Sequence, residues 1–205
     1  MKTFLVICGL VLAACGSVQL PREHYWRLEL PTAAPSGMQA SQVLRVQDLQ
    51  LGNALSGDCL VVADGPSHLE ARDLDRWIAP LDRLVTDAVV QGLSRTGTWT
   101  LVKGAADGGG EDCVLNGRIL DFCEFRATAD APRIARAAFS FWAESSGRVL
   151  FAEELRAEVA IAEAGPEGAV KALSAALQEI TAELDAKLRT AAVLRADGQA
   201  APVGR

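Results

Sequence analysis

Few residues in this chain are of kinds that do chemistry, and their spacing limits what they could do. Two histidines are present, His24 and His68. The first precedes the opening apolar segment and the second follows the turn residues Asp64-Gly65-Pro66-Ser67, so a Ser-His-Asp or Cys-His arrangement would have to be assembled at exposed, mobile places. Both read as solvated side chains. Gly108-Gly109-Gly110 leads into Glu111-Asp112 and not into the lysine and hydroxyl that a phosphate-binding loop needs, so it reads as a flexible turn. No paired-cysteine or His-x-x-x-His spacing offers a zinc site. Glu153 and Glu154 are adjacent in a strand-like run, where neighbours point to opposite faces, and a charged surface explains them. The residues therefore predict no catalytic group, no metal and no cofactor.

The thiol of Cys15 stands apart. Lys2 precedes an uninterrupted apolar and small-residue run from Phe4 to Ala14, which is the pattern of an export signal. The run is too short to cross a bilayer, for which about 20 apolar residues are needed. It ends in Leu12-Ala13-Ala14-Cys15, followed by Gly16-Ser17, and this resembles the lipobox of bacterial lipoproteins. Cys8, preceded by the bulky Ile7, fits that pattern poorly. The resemblance implies that the Cys15 thiol receives a diacylglycerol, that a peptidase cuts between Ala14 and Cys15, and that the new amino terminus is acylated as well. Each buried CH₂ adds about 0.8 kcal/mol and one chain anchors only marginally, so several chains on one residue make attachment durable. Gly16 stands where enterobacterial lipoproteins retained in the inner membrane carry aspartate, which points to the outer membrane.

Removal of residues 1–14 leaves 191 residues, a length for one domain. The chain is 50% hydrophobic with a formal charge of −6, and loss of Lys2 makes it −7. That acidity argues against nucleic acid, or anionic lipid reached through a basic surface. No later segment could span a membrane, so the domain itself is expected to be water-soluble. In an oxidising compartment Cys59, Cys113 and Cys123 permit one disulfide. Cys59 and Cys113 each follow a loop and are the favoured pair, with three small buried thiols as the alternative.

The elements that would position these residues follow from periodicity. Tyr25 to Leu30 reads as a strand with Trp26, Leu28 and Leu30 on one face, Val43 to Leu51 as a second, and Cys59–Ala63 with Leu69–Arg72 as a hairpin. A helix from Leu74 or Ala79 to Ser94 carries Leu81, Leu84, Val85, Ala88, Val89 and Leu93 at steps of three and four. Trp99 to Val102 is a short strand, Cys113 to Arg126 a long one, and Ile134–Trp142 with Val149–Ile161 a hairpin around Glu144-Ser145-Ser146-Gly147. A second helix opens at Gly165-Pro166 and carries Val170, Leu173, Leu177, Ile180, Leu184 and Leu188. One-sided helices and a half-exposed sheet bury their apolar faces most simply in two layers. The expected fold is α+β, a mixed or mainly antiparallel sheet with two amphipathic helices on one face. Its parts are a signal peptide at 1–14, a lipidated tether at 15–24, a domain at 25–190, and a frayed tail at 191–205 rich in Ala, Gly and Pro.

The segment Arg76-Trp77-Ile78-Ala79-Pro80-Leu81, the strand Tyr25-Trp26-Arg27-Leu28 soon after the lipobox, and the helix start Gly165-Pro166 resemble the ABC-type transport auxiliary lipoprotein family, the PqiC-like proteins. Members typically show a Tyr-Tyr-x-Leu strand and an arginine-tryptophan-alanine-glutamate-proline-leucine run at the first helix. Two positions of that run differ here, and Leu51-Gly52-Asn53-Ala54-Leu55 replaces a proline-x-tyrosine-leucine stretch. The resemblance implies a non-enzymatic accessory of a lipid-transport system. Its partners would be an MCE-domain periplasmic protein and, indirectly, an inner-membrane ABC transporter, docked at the outer membrane. Two other readings compete with it: an envelope-structure or outer-membrane assembly lipoprotein that binds another protein or peptidoglycan, and a hydrolase for which no candidate residues are visible. For Arg76 and Trp77 the preferred reading is structural, tryptophan capping the core and Pro80 fixing the helix start. The alternative is direct contact with a partner.

Overall fold

The computed structural model describes residues 21–30, 42–52, 55, 57–65, 67–129 and 131–199, with the backbone alone for 192–199. Ala14 and Cys15 lie outside the described residues. The strands are β1 His24–Trp26, β2 Val43–Val46, β3 Gln50–Leu51, β4 Cys59–Ala63, β5 Leu69–Trp77, β6 Leu101–Lys103, β7 Cys113–Phe125, β8 Ile134–Ser145 and β9 Arg148–Ala160. The helices are α1 Leu81–Arg95 and α2 Gly165–Gln199.

All nine strands join one mixed sheet organised about β7. Along one edge β7 pairs antiparallel with β8, from Val114↔Glu144 to Phe125↔Ile134, and β8 pairs antiparallel with β9. Ser146 and Gly147, both at positive φ, make the two-residue turn of that hairpin. Three short parallel strands follow one another along the opposite edge of β7: β2 beside Cys113–Leu115, β3 beside Arg118–Ile119 and β4 beside Glu124–Phe125. From β2 the sheet continues to β6, and from β4 through β5 to β1.

One face of this sheet is apolar because alternation places small and large hydrophobic residues there together. Leu115, Ile119 and Phe122 of β7, Phe139 and Phe141 of β8, and Phe151 and Leu155 of β9 are buried with both helices in one core. A register shift between Ile119 and Asp121 moves the inward positions of β7 from odd to even numbers, so Phe122 continues the face that Ile119 leaves. An aromatic row, Trp77, Phe122, Phe139 and Phe141, crosses the sheet with ring centroids 5.8, 6.4 and 5.3 Å apart. Gly117 is opposite Phe141 in register, and a Cβ there would come within 2.7 Å of the Phe141 ring and 2.8 Å of Leu49 Cδ2. The glycine makes room for the ring.

The expected helix stripes lie in the core. Val85, Val89 and Leu93 of α1 and Leu173, Leu177, Ile180 and Leu184 of α2 are buried, whereas Leu84 is only half-buried. The helices meet closely at Gly92, where a Cβ would lie 2.7 Å from Thr181 Cγ2. Buried Asp185 accepts hydrogen bonds from the Thr96 and Thr98 hydroxyls, tying the end of α1 to α2.

Several boundaries differ from the sequence expectation. The strand expected at Tyr25–Leu30 ends at Trp26, because the chain then crosses to the helices: the Glu29 N–H donates to Ser174 Oγ and Arg95 donates to the Leu30 carbonyl. Val43–Leu51 is two strands. The Leu49 N–H leaves the ladder for Thr86 Oγ1 on α1, 3.0 Å away, which turns Leu49 into the core. β5 runs on to Trp77, so α1 starts at Leu81 and not at Leu74. At the other end α2 continues to Gln199, past the frayed tail expected from Ala191, through a run rich in the helix formers Ala, Leu and Arg.

The favoured disulfide is corrected. Cys59 and Cys123 carry free thiols, and strand register keeps Cys59 away from Cys113. Val62 pairs with Glu124, so Cys59, three residues earlier on a parallel strand, is level with Asp121, eight residues along β7 from Cys113. That is about 27 Å at the rise of a strand, against a usual Cα separation of about 4–7 Å in a disulfide.

Candidate functional site

The side chains around the expected Arg76-Trp77 contact divide by strand alternation. Trp77 is 2% exposed and packs on Phe122, while its N–H donates to the Asp58 carbonyl. It belongs to the core and presents no surface to a partner, which corrects the contact reading for this residue. Asp75, two positions earlier, accepts from Trp26 Nε1 at 3.0 Å and lies 3.4 Å from His24 Nδ1. Arg76 and Ile78 alternate with these and fall on the outer side.

On that outer side β1 lies parallel to the end of β5, with Tyr25 opposite Arg76 in register. The Ile78 N–H extends the ladder by donating to the Trp26 carbonyl. Tyr25 and Ile78 are 57% and 60% exposed. The Arg76 guanidinium is held between Glu23 Oε1 at 3.2 Å and Asp58 Oδ1 at 2.8 Å. Tyr25 donates its hydroxyl proton to the same Glu23, 2.6 Å away, and that hydrogen bond and the carboxylate charge keep the phenol protonated by raising its pKa. Glu23, the residue before β1, is thus pinned to this ledge by two partners. Residue reasoning singled out Arg76 and Trp77 and missed Tyr25 and Ile78. The available signal was alternation: once a core tryptophan is assumed at 77, its neighbours must face out.

A second charged cluster is structural. Glu124 faces the helix layer at 5% side-chain exposure and is held by Arg72 Nη2 at 3.0 Å and Arg133 Nε at 2.6 Å. Arg133 also donates to the carbonyls of Glu163 and Gly165, so it fastens the start of α2 to the central strand. Burial acts to raise the Glu124 pKa, but the Arg133 hydrogen bond and the charges of Arg72 and Arg133 outweigh it and hold the carboxyl below its usual range.

Cys59 and Cys123 are poor nucleophiles. Burial pushes Cys123 up to about 12, with Asp121 adding to the effect, and burial raises Cys59 although Arg76 opposes it. Among the described residues no three His, Cys, Asp or Glu side chains gather as a metal site, and no helix is long and apolar enough to cross a membrane.

β9 has a long edge that pairs with no other strand among the described residues. Two open grooves of about 620 and 210 Å³ run between it and α2. Ion pairs stand at each, Glu153 with Lys187 and Glu163 with Lys171, and such charges blunt an edge against strand addition.

A family model described as the ABC-type transport auxiliary lipoprotein component matches residues 27–185. The sequence matches none of the curated proteins. Among solved structures, a Xanthomonas campestris protein of the DUF330 family has a TM-score of 0.73 at 18% identity, covering 86% of this chain and 99% of that one. An uncharacterized protein gives 0.68 at 17%, covering 82% and 99%, and a hypothetical protein of Chlamydia trachomatis 0.52 at 11%, covering 73% and 96%. At such identities these neighbours share the fold alone. The family match reaches from the residue after β1 into the second half of α2 and includes the Arg76-Trp77 segment and the Gly165-Pro166 helix start. The chain belongs to the ABC-type transport auxiliary lipoprotein family, and with it to the membrane-anchored proteins of the bacterial envelope.

Proposed function

We propose that this protein is a non-enzymatic accessory of an MCE/ABC-type lipid-transport system. It is exported, cut before Cys15 and held at the outer membrane by lipid on that cysteine. There its periplasmic domain docks an MCE-domain protein that communicates with an inner-membrane ABC transporter. The family match over residues 27–185 carries this reading. The lipobox-like Leu12-Ala13-Ala14-Cys15 and the glycine at position 16 support the anchor and its destination. The buried charges at Glu124 and Asp185 are occupied with holding helices to the sheet and to each other, which suits a docking body better than a reaction site. Lipid need not enter the domain: it would pass through the partner while this protein supplies position.

The test is co-purification of the full-length lipidated chain with an MCE-domain protein encoded beside it. Recovery of the two together from outer-membrane fractions supports the reading. Recovery of the MCE protein without this chain, under conditions where both are made, overturns it.

A further inference from the structure

We infer that the ledge formed by Tyr25 and Ile78 rests on the lipid surface that holds the anchor, so that the domain sits on its membrane in one orientation. This rests on the proposed acylation of Cys15. Tyr25 is ten residues after Cys15, and even a fully extended chain keeps the ledge within about 35 Å of the lipidated atom. Glu23 shortens that distance in practice. Its carboxylate is bound on the ledge itself, to Arg76 and the Tyr25 hydroxyl, so the chain leads toward Cys15 from the face that exposes Tyr25 and Ile78.

The ledge has the chemistry of the membrane interface. Tyrosine presents an apolar ring with a polar tip, the form enriched at headgroup level. Ile78 offers hydrocarbon beside it. Arg76 is paired with two carboxylates, so it would not carry an isolated charge into the interface. Arg22, Glu23, Asp58 and Arg76 balance in sign, so the contact needs no anionic lipid, in keeping with an acidic domain. Two consequences follow for the domain. The β1 side of the sheet faces the membrane, and the β9 edge with its two grooves, on the other side of β7, is left toward the periplasm.

The full-length lipidated protein, bearing Cys59→Ser to remove the half-buried thiol, would receive an environment-sensitive dye at Ile78→Cys. A control would carry it at Val149→Cys, which is 62% exposed at the start of β9. Both are reconstituted in phosphatidylcholine vesicles. At position 78 the dye is expected to shift to the blue, to be quenched by shallow spin-labelled lipid, and to be at least threefold less accessible to iodide than at 149, at low and high salt alike. Adding Tyr25→Ser should weaken that protection. Equal iodide access at both positions, in protein that floats with the vesicles, overturns the ledge contact and leaves the anchor standing. Protection that arises only when the MCE partner is added assigns the ledge to a protein and also overturns it. Failure of the chain to float overturns the anchor reading and the inference built on it.

Discussion

At the scale of single residues, the most informative positions are those where one atom is committed to several partners. Glu124 joins Arg72 and Arg133, and through Arg133 the start of α2. Its folded pKa lies below the unfolded value, so it contributes stability that is present above the ordinary glutamate pKa of about 4.3 and is lost as pH falls through the folded value. Glu124→Gln should cost about 1–3 kcal/mol at pH 7 by leaving two part-buried guanidinium groups without a carboxylate. It should also flatten the fall in urea midpoint as the pH drops below the ordinary glutamate value of about 4.3, because the folded carboxyl, held lower, keeps its charge further into acid. An unchanged slope would show that other carboxylates govern acid unfolding. Gly117 is a packing counterpart. Its missing Cβ leaves space for Phe141 and Leu49, and Gly117→Ala should cost about 1–3 kcal/mol by overpacking. Combining it with Phe141→Leu should cost less than the sum of the two, as measured by a double-mutant cycle, because both act on one space.

At the scale of elements, what could be read in advance was what local periodicity encodes. The α2 stripe from Val170 to Leu188 is buried at each expected position, and β7, β8 and β9 run within a few residues of their expected bounds because their alternation is long. Non-local pairing was not legible. Nothing in Val43–Leu51 announces that the Leu49 N–H leaves the ladder for Thr86, and nothing in Leu69–Arg72 announces that β5 gains a parallel neighbour in β1 and continues to Trp77. Those outcomes depend on partners 37 and 51 residues away. The ledge was missed in part for the same reason: alternation about Trp77 turns Ile78 outward, but that Tyr25 lies beside it follows from a pairing absent from either segment alone. The helix faces remain open to a graded test. Leu177, at 1% exposure, faces the core and Leu84 sits at its margin. Leu177→Asp should therefore cost about 4 kcal/mol or abolish folding, and Leu84→Asp about half as much. Similar melting losses at the two sites would show that α1 packs more deeply than its burial indicates.

At the scale of the whole molecule, the chain on the proposed reading divides the work of location from the work of folding. Among the described residues the core is closed by side chains between Leu44 and Leu188, all of them after the proposed cleavage site. Attachment on the proposed reading rests on one sulfur. Cys15→Ala should therefore transfer the protein from the membrane pellet to the soluble fraction while its thermal unfolding midpoint stays within about 1 °C of that of the unmodified domain. The size of the expected transfer follows from the anchor's chemistry: each acyl chain buries many CH₂ groups at about 0.8 kcal/mol apiece, whereas a ledge of a few side chains can orient a tethered domain but cannot hold a free one. Persistence in the membrane after a carbonate wash would show a second means of attachment. A large drop in melting temperature would show that the segment around Cys15 belongs to the folded body. Release with unchanged melting would establish that position and fold are separable, the property that the proposed docking role requires.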